Sequence, residues 1–94
     1  MAIKSVNASH ILVNSAKDAE SIMARLSKGE NFEDLAKRFS KCPSKSKGGS
    51  LGWFKKGDMV PEFEAAAFAA KTGDVVGPVK TQFGWHIIKI LGTK

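Results

Sequence analysis

Hydrophobic and polar positions follow two periods along this chain, and the switches between them divide it into elements. Ala8-Ser9-His10-Ile11-Leu12-Val13 ends in an aliphatic, β-prone run and predicts a buried strand over residues 8–13. Ser15 followed by Asp18 has the form of a helix cap; Ala19, Ile22, Met23 and Leu26 then share one helical face until Gly29 ends the helix. Asn31 with Asp34 repeats the capping pattern, and Phe32, Leu35, Ala36 and Phe39 again fall at i, i+3, i+4 and i+7. A second helix is expected there.

From Ser40 to Gly49 the chain turns to Ser, Lys, Gly and a single Pro, so no apolar face can form and a surface loop carrying Cys42 is expected. Ser50-Leu51-Gly52-Trp53-Phe54 predicts a short strand closed by the turn residues Lys55-Lys56-Gly57-Asp58. Pro61 suits the first turn of a third helix, Glu62 and Glu64 suit the positive end of its dipole, and Val60, Phe63 and Ala67 line one face before Lys71-Thr72-Gly73-Asp74 ends it. Gly77 to Thr81, a turn at Gln82-Phe83-Gly84, and Trp85 to Leu91 predict a terminal hairpin. The last strand is apolar on both faces, which argues for a central place in the sheet. The order strand, helices, strand, helix, hairpin describes an α+β domain.

Length narrows the picture further: 94 residues, 43% hydrophobic and 26% charged, hold one domain with one core, here taken as residues 1–94. The segment Met1 to Asn7 lacks the apolar stretch of a secretory signal, and Ala65 to Ala70 is too short to span a bilayer, so a cytoplasmic monomer is expected. A lone cysteine permits no internal disulfide, which suits a reducing compartment. One Cys and two His cannot supply the usual zinc set, and no metal or other cofactor is expected. The net charge of +6 is unevenly spread, because Lys37, Arg38, Lys41, Lys45, Lys47, Lys55 and Lys56 occur in a stretch with no acid between residues 35 and 57. Such a stripe attracts anionic membrane, nucleic acid or acidic proteins in a salt-dependent way, or serves only as a solvated face. Aromatic residues are not interleaved with these lysines as a nucleic-acid stacking platform requires.

His86-Ile87-Ile88 in the last strand echoes His10-Ile11-Leu12 in the first. If the two strands pair centrally, their imidazoles become neighbours on one face, either as a functional pair or as two satisfied core histidines. A thiol in an exposed basic loop raises the competing idea of a Cys/His hydrolase around Cys42. Nothing in the chain points to the oxyanion site or the orienting Asn or Asp which that chemistry needs.

Five separated motifs, in order and over the whole length, carry a resemblance: Ser9 to Val13, Gly48-Gly49-Ser50-Leu51-Gly52-Trp53-Phe54, Met59-Val60-Pro61-Glu62-Phe63, Gly77-Pro78-Val79, and Phe83-Gly84-Trp85-His86-Ile87-Ile88. With them the chain resembles a parvulin, a peptidyl-prolyl cis/trans isomerase. The resemblance implies a four-stranded antiparallel sheet with the first and last strands central, surrounded by three to four helices. It also implies that His10 and His86 form a pair beneath the site, that Cys42 and Thr81 border it, and that Leu51, Met59, Phe63 and Phe83 wall a pocket for the substrate proline. The expected partners are proline-containing peptides and unfolded or partly folded proteins; a proline-segment binding module or holdase chaperone is the alternative. One departure matters: phosphate-directed members carry basic residues in a long loop after the first strand, whereas here that connection is only Asn14-Ser15 with Lys17 nearby. No phosphate requirement before proline is expected.

Overall fold

The computed structural model describes residues 3–94; Met1 and Ala2, the start of the amino-terminal stretch considered above, lie outside them. The elements run β1 (Ser5–Val13), α1 (Ala16–Ser27), α2 (Phe32–Phe39), a 3-10 turn (Pro43–Lys47), β2 (Ser50–Lys55), α3 (Pro61–Ala69), β3 (Val75–Thr81) and β4 (Gly84–Thr93). The four strands form an antiparallel sheet in the order β2-β1-β4-β3, so the first and last strands occupy its centre as expected.

Both helix caps form as the sequence implies. Ser15 Oγ accepts a hydrogen bond from the Asp18 N–H at 3.2 Å, and Asn31 Oδ1 accepts one from the Asp34 N–H at 3.0 Å. Three strands prove longer than their apolar runs, with β1 starting at Ser5 rather than Ala8, β3 at Val75 rather than Gly77, and β4 reaching Thr93 rather than Leu91. The cause is pairing: Val6 faces Thr93 and Val75 faces Lys89, so ladder bonds extend each strand past its hydrophobic signal. The expected loop between Ser40 and Gly49 also tightens into a 3-10 turn, with Pro43 at its start.

Alternation along β1 and β4 divides the core between the two faces of the sheet. Val6, Ala8, Ile88 and Ile90 pack under α3 with Phe54, Phe63 and Ala67. Ile11, Val13 and Ile87 face α1 and α2, meeting Ala19, Ile22, Phe32, Leu35 and Ala36. Each of these side chains is almost fully buried, and an aliphatic or aromatic residue so placed contributes about 1.5–3 kcal/mol.

Candidate active site

Two imidazoles lie where the paired central strands β1 and β4 run beneath α3. His10 and His86 sit on the face of β1 and β4 that carries Ala8 and Ile88, and register places Leu12 opposite His86 and His10 opposite Ile88. The two rings are therefore diagonal neighbours, close enough for side chains to bond. Their Nδ1 atoms are 3.0 Å apart, and the ring planes are nearly parallel, at 17° to each other. Phe63 of α3 stands edge-on to both, at 5.6 Å from His10 and 5.2 Å from His86 between ring centroids.

The pair is buried, at 5% and 4% of full exposure. Burial, and then the neighbouring His86, pushes His10 from 6.5 down to about 4; burial alone lowers His86. Both rings are neutral near neutral pH, so one Nδ1 donates and the other accepts. Thr81 Oγ1 accepts the Phe83 N–H at 3.1 Å and lies 2.7 Å from His86 Nε2, so it continues the chain of side-chain hydrogen bonds behind the pair. Two neutral orders satisfy the chain: Thr81 donates to His86 Nε2 and His86 Nδ1–H to His10 Nδ1, or His10 Nδ1–H donates to His86 Nδ1 and His86 Nε2–H to Thr81. In both, His10 Nε2 is a buried atom with no hydrogen-bond partner in the protein.

Above the pair opens a recess of about 470 Å³. This volume falls within the range of roughly 300–1,000 Å³ that accommodates small ligands or ligand segments. His10, His86, Cys42, Leu51, Met59, Phe63 and Phe83 line it, joined by Leu12, Lys41, Pro43, Asp58 and Val60. Of the eight side chains expected at one site, seven thus share a single wall, and Thr81 stands behind it on His86. Phe83, at the hairpin turn, is 61% exposed and forms a lip rather than a buried wall.

The Cys42 side is held by a residue that periodicity alone overlooks. Ser40 is buried, and its Oγ accepts hydrogen bonds from the N–H of Leu12 at 3.0 Å and of Cys42 at 3.3 Å. Lys41 N–H donates to the Leu12 carbonyl at 2.7 Å, so the loop runs clipped to the end of β1. Gly49 completes the clip. Its φ is +86°, its carbonyl accepts the His10 N–H at 2.9 Å, and a Cβ there would drive into the His10 carbonyl. On the other rim, Asp58 Oδ2 accepts the Lys55 N–H at 2.9 Å, folding the turn that delivers Met59. Of the lining residues not anticipated, Leu12 was accessible from its two-residue spacing to His10, and Lys41, Pro43, Asp58 and Val60 from their adjacency to Cys42 and Met59.

Among the described residues no group of three or more His, Cys, Asp or Glu side chains is placed to hold a metal ion, and no helix is long and apolar enough to cross a membrane.

Comparison with known proteins matches residues 5–92 to the model of the rotamase PPIC-type PPIase domain. The foldase protein PrsA of Bacillus subtilis (strain 168) is 59% identical over 85 residues, which cover 89% of this chain and 29% of that protein. A parvulin-like PPIase of Rickettsia prowazekii (strain Madrid E) is 48% identical over 93 residues, covering 95% of this chain and 33% of the relative. The chain thus spans about a third of the length of these curated relatives. Among solved structures, the parvulin NmPin of Nitrosopumilus maritimus superposes with a TM-score of 0.86 at 47% identity, covering 95% of this chain and 97% of that one. The crystal structure of PrsA from Bacillus subtilis gives a TM-score of 0.91 at 55% identity, over 94% of this chain and 35% of the other.

Proposed function

We propose a mechanism from one premise: the chain belongs to the PPIC-type, parvulin family of peptidyl-prolyl cis/trans isomerases. The observation that carries it is the apolar recess floored by a hydrogen-bonded histidine pair. An X-Pro bond resists rotation because amide resonance must be broken, a barrier of about 18–20 kcal/mol. In the twisted amide the nitrogen lone pair no longer delocalises into the carbonyl, charge separation falls, and an apolar environment favours that state over the planar one.

Leu51, Met59, Phe63 and Phe83 supply the wall that grips the proline ring. His10 and His86, locked through Thr81, keep the floor rigid and neutral, so that no buried charge favours the planar, more polar ground state. Cys42 borders the recess as a neutral neighbour of the substrate rather than as a nucleophile. Each ~1.4 kcal/mol of selective stabilisation yields about tenfold in rate, so a thousandfold enhancement needs only about 4 kcal/mol.

Exchange NMR or a protease-coupled assay on X-Pro peptides, at substoichiometric protein, tests this reading. Cys42→Ala should retain turnover within about threefold, since no covalent bond is asked of the thiol. Loss of more than about a hundredfold in a folded Cys42→Ala protein would sink the non-covalent mechanism. Tight peptide binding without faster exchange would favour the binding-module alternative.

Substrates of this class are proline-containing peptides and partly folded chains, and the absence of a basic loop between β1 and α1 supports turnover without phosphate before proline. The seven cations from Lys37 to Lys56 are all exposed, which supports a secondary, salt-sensitive association with anionic membrane or nucleic acid. Co-sedimentation with anionic vesicles and with DNA, at low and high salt, tests it. The lone thiol supports a cytoplasmic setting, checked by fractionation.

A further inference from the structure

A second opening lies on the opposite face of the sheet from the histidine pair. It is a cleft of about 200 Å³ with an apolar floor of Val13, Ile22 and Phe39. Its mouth carries Asp18, Ser21 and Arg25 from successive turns of α1. Arg25 is held as a wall by its 2.9 Å ion pair with Glu30, and its guanidinium lies 5.1 Å from the Phe39 ring centroid. The cleft falls below the roughly 300–1,000 Å³ of a self-sufficient ligand pocket, yet far exceeds the ~30 Å³ share of one water. Its size and floor suit one apolar side chain.

Continuity with the first recess identifies whose side chain that is. Lys41 lines both openings. Leu12 lines the first and Val13 the second, and consecutive strand residues point to opposite faces, so the two recesses flank the end of β1 with Lys41 between them. The Lys41 backbone is clipped to the Leu12 carbonyl, so this common wall is fixed.

We propose that the cleft is a second subsite of the same active site, in which a substrate whose proline fills the first recess passes over Lys41 and lodges an apolar side chain between Val13, Ile22 and Phe39. The polar rim of Asp18 and Arg25 offers hydrogen bonds to the crossing backbone. This rests on the isomerase reading above. It predicts selection of substrates by an apolar residue remote from the proline, beyond any preference for the residue directly before it.

The test compares a short proline peptide, too small to leave the first recess, with longer peptides that carry Leu or Gly at each position on either side of the proline in turn. At one position the Leu peptide should exceed its Gly counterpart in kcat/KM by about tenfold, the equivalent of roughly 1.4 kcal/mol of side-chain burial. Ser21 is exposed on α1, so Ser21→Trp can fill the cleft from its rim while Ser21→Ala leaves it open. The Leu-to-Gly ratio should fall to about one in Ser21→Trp and persist in Ser21→Ala, and the Ile22 methyl resonances should move when the wild-type protein binds the favoured Leu peptide. A ratio of one at every position in the wild-type protein, or a ratio that survives Ser21→Trp, overturns the subsite. Failure of the isomerase reading is distinguishable, because the short peptide would then not turn over at all.

Discussion

Mild acid should destabilise this protein before its carboxylates begin to titrate, and the loss is read from two side chains. The folded chain holds His10 at about 4 and lowers His86, whereas both return to about 6.5 when unfolded. Below that value the unfolded state binds protons that the folded state refuses, so stability rises with pH across the window and is lost as pH falls. Unfolded carboxylates take up protons near pH 4, and the chain contains no third histidine, so between roughly pH 6.5 and 5 the slope reports this pair. The unfolded imidazole is half protonated at about pH 6.5, so the slope climbs from about half of 1.36 kcal/mol per pH unit toward the full value, and the window removes about 1.5 kcal/mol through His10 alone, with His86 adding to the loss. A domain has only about 5–15 kcal/mol to lose. Urea unfolding followed by tryptophan fluorescence at stepped pH measures the effect, and His10→Asn should show a shallower slope. A free energy of unfolding that stays level from about pH 7 to 5, or an equal slope in the variant, would refute the claim that burial keeps the pair neutral.

Three substitutions probe the rest of the site. Met59→Ala should lower kcat/KM at least about tenfold while costing only about 1–2 kcal/mol in denaturant titration, because the side chain is half-buried. Thr81→Val keeps the shape but strips the hydroxyl from both His86 Nε2 and the Phe83 N–H; it should cost about 1–3 kcal/mol and reduce turnover, with Thr81→Ser restoring both. Gly49→Ala should cost more than about 2 kcal/mol in a thermal or urea melt, since φ is +86° and the new Cβ meets the His10 carbonyl.

Much of this arrangement could be read from residue order alone. The caps at Ser15 and Asn31, the helical faces of α1 and α2, and the central place of β4 all follow from local periodicity, because a buried face repeats every two or 3.6 residues whatever lies opposite it. The alignment of His10 with His86 was conditional on strand pairing, and their 3.0 Å contact needed the observed register. The proline wall came from family resemblance, since Met59 and Phe63 at i and i+4 look equally like ordinary core.

What the linear chain determined by itself, then, was which residues are apolar, how they are phased, and where α1 and α2 are capped. Tertiary structure alone decided how far the strands extend, where the bulges at Asn7/Ala8 and Ala8/Ser9 shift the ladders, and which loop covers which strand end. Ser40 illustrates the division: it sits in a polar stretch that reads as solvated loop, yet it is buried because Leu12, 28 positions earlier, presents an N–H that needs an acceptor. Periodicity records a residue's own face, whereas burial of such a polar group depends on what folds against it from elsewhere in the chain. The Lys41 wall between the two recesses belongs to the same category, since only the docking of that loop on β1 places one lysine between both openings.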